Sequence, residues 1–396
     1  MTFLLRVDRQ RWQANVDRVL AQYDAAGGQL VPVAKSNGYG LGQALLAHQM
    51  RERRRPVLAV GTVYEALDPH LEWDADLLVL TPWNAGEAAA QTAWATARQR
   101  YGTMLITTVA DSESLRALAA AAADHPARPV RVLLEGLTSV RRFGFTQPEL
   151  LATLHDPTVR QALASGALRL AGLALHLPLV PPELAKTDPT LAPQLPGSGR
   201  AQQAGAWALW WLAQVANLPS GDDTDLSAAP GVWVSHLTPA DLDALRAAVP
   251  NLPVYPRIGT ALWLGDAASL RASGTVLAVH TGAQPGAGYF QRRVPNGASL
   301  VVVGGGTSHG VALSGPIGAA TFRRRISTAG SGVLDAAGRV VSPFRWRGKR
   351  LWFHEAPHAS VSLLVVPKGV PVPVVGDELP CQVRLTTSHF DQVVFE

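Results

Sequence analysis

Eight short apolar runs, most of them followed by a segment with helical spacing, fill residues 9 to about 265 and constrain the fold more than any other feature. A helix-like stretch, "RQRWQANVDRVLAQYDAA", has apolar residues three and four apart and leads into them. The runs are "QLVPVAKS", "PVLAVGT", "ADLLVLTPW", "GTMLITTV", "PVRVLLEG", "LRLAGLALHL", "GVWVSHL" and "PVYPRIG". Helical segments such as "LGQALLAHQMRER", "VYEALDPH", "AGEAAAQTAWATARQR", "SESLRALAAAAADH" (with a Ser cap), "QQAGAWALWWLAQVANL" and "PADLDALRAAV" lie between them. Repetition of strand and helix builds a parallel sheet, and eight repeats predict a closed (β/α)8 TIM-like barrel rather than an open sheet. Beyond residue 270 the pattern changes to β-type runs separated by Gly and Pro, including "GTVLAVHTG", "SLVVVGGG", "ASVSLLVVP" and "ELPCQVRL". The predicted organisation is α/β, with a barrel over 1–268 and a mostly-β domain over 269–396.

Composition excludes several classes of function. Hydrophobic residues make up 47% and charged residues 16%, which favours a large core and argues against disorder. No apolar run reaches the roughly 18 residues that would span a bilayer. The N-terminus turns charged after five residues, so no secretory signal is expected. Cys381 is the sole cysteine, which removes internal disulfides and thiolate clusters. These features predict a cytoplasmic globular protein. The charge of +5 is spread over "RERRR", "FRRRIS" and "FRWRGKR", which read as solvated faces and not as a nucleic-acid surface.

Of 35 basic residues only Lys35, Lys186, Lys349 and Lys368 are lysines. Lys186 falls in a Pro-rich insertion at 178–199, read either as a lid or as an ordinary exposed insertion; Lys349 and Lys368 fall in turns. Lys35 ends the first barrel strand before a Gly-rich turn, at the face where such barrels carry their chemistry. Apolar neighbours would lower its amine pKa, as a nucleophilic amine requires. Spacing alone leaves a salt-bridged or snorkelling lysine equally open.

"VAKSNGYGLG" resembles the pyridoxal-phosphate lysine motif of alanine racemases, K-A-N-A-Y-G-H-G, and further likenesses follow in order. "VRRFGF" is similar to M-N-R-L-G-F and aligns Arg142 with the substrate-binding arginine. "GLALHL" resembles G-L-M-T-H-F and aligns His176 with the histidine beside the cofactor ring. "YPRIGTALWLG" resembles V-R-P-G-I-A-L-Y-G and aligns Arg257 with the arginine at the pyridine nitrogen. "GAQPGAGYF" resembles the segment of the second catalytic base and selects Tyr289; "VVGDEL" resembles V-G-D-E-V.

The resemblance covers nearly the whole chain and implies a fold-type III pyridoxal 5'-phosphate enzyme, an amino-acid racemase with two bases. It implies that Lys35 holds the cofactor and serves one face of the substrate, while the partner subunit's Tyr289 serves the other. Tyr39, Ser235, and the backbone at Gly259 and Thr260 become phosphate-side candidates. Glu135 stands where many members carry a carbamylated lysine, and is expected to orient Arg142. A head-to-tail homodimer, an amino-acid substrate and no metal are implied.

The chain departs from the family on the substrate side. "VGGGTSHG" replaces G-Y-A-D-G, placing Gly305 or Gly306 near a tyrosine position; it reads as an anion loop or as a tight turn. "HEAPHAS" replaces the C-M-D stretch, "VSHLT" replaces N-S, and Leu41 replaces the motif histidine. His354, Glu355, His358, His389 and Asp391 read as structural residues or as fragments of a metal site. These departures keep two alternatives open: an aldolase, dehydratase or epimerase acting on a larger amino acid, and a non-catalytic cofactor-binding protein.

Overall fold

A computed structural model of the chain describes residues 2–125, 127–179, 198–216, 218, 230–282, 286–313 and 340–396. Most of the Pro-rich insertion with Lys186, and the basic run at 323–325, lie outside them. The first strand, β1 (Phe3–Val7), belongs to the second sheet described below. The barrel strands are β2 (Val31–Pro32), β3 (Val57–Val60), β4 (Asp76–Val79), β5 (Leu105–Val109), β6 (Val130–Gly136), β7 (Leu168–Leu175), β8 (Gly231–Ser235) and β9 (Val254–Ile258). All neighbouring pairs are parallel, in the order β2-β9-β8-β7-β6-β5-β4-β3. A parallel bridge between Val33 and Ala59, with Ala34 N–H donating to Ala59 O at 2.8 Å, joins the two ends of that order and closes the barrel.

The eight predicted runs are these eight strands. They read as continuous apolar runs because both faces are covered, one by helices and the other by the barrel interior. Val31, Val33, Val57, Ala59, Leu78, Ile106, Leu133, Ala174 and Trp233 fill that interior, with Tyr255 stacked on Trp233 at 4.5 Å. The barrel is therefore a packed core whose chemistry is confined to its rim. One extra residue in β7 shifts its register against β6, and Gly172 (φ +143°) stands where a Cβ would strike Gly231 O.

Local signals set the helix starts. Thr146 and Glu149 form a capping box for helix Gln147–Leu154, and Thr238 with Asp241 does so for Pro239–Ala248. The cap of helix Ser112–Ala123 is Asp111, not the serine expected from sequence: Asp111 is extended, and its carboxylate accepts from Ser114 N–H at 2.8 Å.

The chain divides into two compact units, residues 15–36 with 43–265, and residues 1–14 with 37–42 and 266–396. The expected cut at 268/269 is close to the second boundary, but residues 1–14 join the β unit because β1 pairs with strands from the far end of the chain. Those strands are β10 (Leu270–His280), β11 (Ser299–Gly304), β12 (Val341–Trp346), β13 (Lys349–Phe353), β14 (Val361–Val366), β15 (Glu378–Pro380) and β16 (Gln392–Phe395). Their order is β12-β13-β14-β11-β10-β1-β16, with β15 also on β10. β1 runs antiparallel to β10 and parallel to β16. Phe3 anchors this unit's core, stacked on Phe390 at 5.0 Å and edge-on to Phe344.

Candidate active site

The C-terminal ends of the barrel strands gather six of the residues singled out from sequence: Lys35, Glu135, Arg142, His176, Ser235 and Arg257. Lys35 leaves the barrel directly after the closing bridge at Val33. Partial burial pulls its amine below the ordinary lysine range; Arg142 and Arg257 push the same way and Glu65 opposes them. Glu65 was not selected from sequence. Its Oε2 accepts from Gln43 Nε2 and Gly61 N–H, both at 2.7 Å, and Gln43 also donates to Ala34 O at 2.9 Å. The clue was a polar residue, Gln43, at a buried position of the helix after the lysine.

Arg142 sits on a loop folded back onto β6. Leu137 N–H donates to Phe145 O at 2.7 Å and Phe145 N–H to Glu135 O at 2.8 Å. Gly144 (φ +127°) permits this closure, since a Cβ there would meet the Gly136–Leu137 backbone. The Arg142 guanidinium lies over the Phe143 ring, 5.2 Å from its centroid.

Glu135 and Arg257 are both buried. Burial raises the Glu135 carboxyl above its ordinary range, against the pull of Arg257 first and Arg142 second. Both arginines thus favour the ionised form of Glu135 against its burial. Burial lowers Arg257, opposed by Glu135. Among the described residues, Nε and Nη2 of Arg257 are buried with no hydrogen-bond partner. Unpaired buried guanidinium donors are costly, so a site with two of them is built to meet an acceptor.

His176 follows β7. Ser235 Oγ lies 3.1 Å from its Nδ1 and accepts from Leu177 N–H at 3.0 Å. Burial, then Arg142, Arg257, His236 and Lys35, push His176 down to about 3, so the ring is neutral near pH 7. His236 meets it edge-on at 5.2 Å and holds a left-handed backbone (φ 59°). Its pKa is also lowered, chiefly by burial and then by Lys35. Helix Thr260–Leu264 follows β9 with Gly259 as its N-cap, which has no side chain to occupy the first N–H groups.

Tyr39 and Tyr289 belong to the β unit by chain contacts. Tyr39 is buried in a left-handed turn (φ 58°) over Gly38–Gly40. Beside it, Asn37 Nδ2 donates to Leu385 O at 2.8 Å and to Ser388 O at 2.5 Å. Tyr289 is 79% exposed. Among the described residues no three His, Cys, Asp or Glu side chains gather as a metal set, and no helix is long and apolar enough to cross a membrane.

Residues 7–198 match the family model described as alanine racemase, N-terminal domain. No curated protein gives a significant match. Among solved structures, the chain resembles alanine racemase from Bartonella henselae with covalently bound pyridoxal phosphate, at TM-score 0.65 and 14% identity over 100% of both chains. It also resembles the Bacillus anthracis enzyme with bound L-Ala-P, at TM-score 0.60 and 14% identity over 100% of this chain and 88% of that one. The E. faecalis alanine racemase matches at TM-score 0.59 and 17% identity, over 100% of this chain and 98% of that one. Residues 7–198 thus match the alanine racemase N-terminal domain, and the whole chain shares the fold of the alanine racemases.

Proposed function

We propose that the chain is a pyridoxal-phosphate-dependent amino-acid racemase, acting as a cytoplasmic head-to-tail homodimer on a small-molecule amino acid. The observation that carries this reading is Arg257: a buried guanidinium with two unpaired nitrogens, in the same strand-end cluster as a lysine of lowered pKa. That pair fits a cofactor with a carbonyl for the amine and a ring-nitrogen acceptor for the guanidinium. Pyridoxal phosphate, when bound, supplies an electron-withdrawing ring that acidifies the substrate Cα–H.

The residues then divide the work. Lys35 Nζ would hold the cofactor and could exchange a proton on one face of the substrate Cα. Arg257 would donate to the ring nitrogen and leave it unprotonated, because a guanidinium does not readily surrender its proton. Neutral His176, fixed by Ser235, offers a flat uncharged ring. The Gly259 and Thr260 amides would serve the phosphate. Arg142 pairs with the substrate carboxylate. Glu135 offsets the positive charge of Arg257 and Arg142. Tyr289 of the partner subunit handles the proton on the opposite face, and an added base of this kind contributes typically 10²–10⁴-fold.

The absorbance spectrum of the purified protein, with single L- and D-amino acids and with Lys35→Ala in parallel, tests the cofactor. Chiral chromatography of the same mixtures tests the reaction. The expected result is a visible band that needs Lys35 and enantiomer exchange for at least one amino acid. No band after adding pyridoxal phosphate would overturn the whole reading. A band with cleavage or elimination products would favour an aldolase or dehydratase acting on a larger amino acid. Gly305 and Gly306, near a position where the family has tyrosine, give that second reading its support. A band without turnover would leave a non-catalytic cofactor-binding protein.

A further inference from the structure

We propose that His358 and Glu355 are positioning residues for Tyr289, fixing its ring from within its own β unit. Tyr289 stands on a tight hairpin closed by Ala287 and Arg292, which exchange backbone hydrogen bonds at 3.0 and 2.9 Å. Gln291 braces the turn by donating from its backbone N–H (3.3 Å) and from Nε2 (3.0 Å) to Gly288 O. The hairpin alone fixes the Cα of Tyr289 and leaves its ring free to change rotamer, because the residue is 79% exposed. The ring nevertheless lies against His358, centroids 4.5 Å apart and planes inclined by 31°. That spacing is at the close end of the range for interacting aromatic rings.

His358 is itself held. Its Nε2 lies 2.7 Å from Glu355 Oε1, and Glu355 is only 4% exposed. The other oxygen, Oε2, is buried without a partner, so the imidazole is the polar contact on which this carboxylate depends. Moving His358 would strand a buried carboxylate, which makes the imidazole a firm platform for the phenol. The carboxylate also lies under the hairpin: Gly288 (φ +75°) has no room for a Cβ, which would fall on the Glu355 carboxyl. His354 completes the clasp by donating from Nε2 to Ala287 O at 3.1 Å. The segment "HEAPH" therefore grips both the backbone and the ring of the tyrosine-bearing turn.

The inference rests on the reading of Tyr289 as a proton-transferring base, and its test separates the two. The full chain is labelled with 3-fluorotyrosine; it contains 6 tyrosines, and Tyr289→Phe identifies the signal of interest. His358→Ala should shift and sharpen that fluorine signal, as the imidazole ring current and the motional restraint are lost. His358→Phe should keep it displaced by retaining a stacking ring, and Glu355→Gln should broaden or shift it less than His358→Ala. In turnover, His358→Ala should slow the Tyr289-dependent direction about ten-fold, mainly in kcat, and add no further loss to Tyr289→Phe. A Tyr289 signal unmoved in His358→Ala would overturn the clasp. A signal that moves while Tyr289→Phe turns over normally would keep the clasp and overturn Tyr289 as the base. If His358→Ala does not fold, Glu355→Gln decides: an unmoved Tyr289 signal in that variant would overturn the clasp.

Discussion

Around Lys35 the groups are fixed by strands and strand-end loops, whereas Tyr289 is fixed by two side chains under an exposed turn. In the barrel, Glu135, His176, Ser235 and Arg257 stand at or just beyond strand ends, so the parallel ladder sets their spacing. In the β unit Tyr289 stands in the turn between Ala287 and Arg292, and His358 on Glu355 restrains the ring. The two places also treat charge differently. At the barrel mouth burial, followed by four cationic or basic neighbours, drives His176 to its neutral form. At the hairpin a histidine meets a buried carboxylate instead. A rigid frame can hold like charges together at a functional rim, while an exposed turn needs an opposite partner to hold one ring.

The largest test of this contrast is Lys35→Ala, which removes the amine on which the barrel mouth converges. Turnover should fall by about 10⁴-fold or more, together with the visible cofactor band, while the Tyr289 fluorine signal stays in place. Tyr289→Phe should follow, with a loss of about 10²-fold or more in one direction, read by isotope exchange at Cα, and an intact band. A loss of cofactor in Tyr289→Phe would blur the distinction between the two places.

Glu135→Gln is expected to cost about ten-fold in turnover, through misplacement of Arg142 and Arg257. Its stability should change with pH in a defined sense. Burial raises the folded pKa of Glu135 above 4.5, so the unvaried protein loses stability as pH rises through that raised value and the glutamine variant does not. Chemical denaturation across this range should show the variant gaining on the parent as pH rises; a gap independent of pH would show that Glu135 ionises without cost.

The smallest effect is expected from His176→Asn, within about ten-fold in turnover. In the parent, the unfolded chain takes up the histidine proton at 6.5 and the folded one at about 3, so stability falls as pH drops between those values. The variant should show a shallower fall in urea midpoint over that window. An unchanged slope would place the acid sensitivity elsewhere.

Much of the barrel is legible from sequence because its strands are buried on both faces and punctuated by Gly and Pro. "VLAV" and "LITTV" announce themselves as strands with every residue buried. "FLLRV" and "QVVF" do not: they are short, lie at opposite ends of the chain, and become strands by pairing with each other and with β10. Lys35, Arg142, His176 and Arg257 could be selected from motifs, as they fall at strand ends. Glu65 could not, because it approaches the lysine from another strand–helix connection. Nor could the sequence say what "HEAPHAS" binds within the fold: His354 meets a backbone carbonyl and His358 meets Glu355.

The sequence by itself determined the alternation of eight strands and helices, the change to a β unit near residue 270, and a lysine at the first strand's end. Those depend on periodicities of two and of three to four residues, which are local and survive without a fold. Tertiary structure alone decided that Glu135 is buried with Arg257 and Arg142 opposing that burial, that residues 1–14 complete the distant β sheet, and that Tyr289 rests on His358. Burial and Coulomb interaction depend on separation in space, and residues 135 and 257 become neighbours only when the parallel strands close into a barrel.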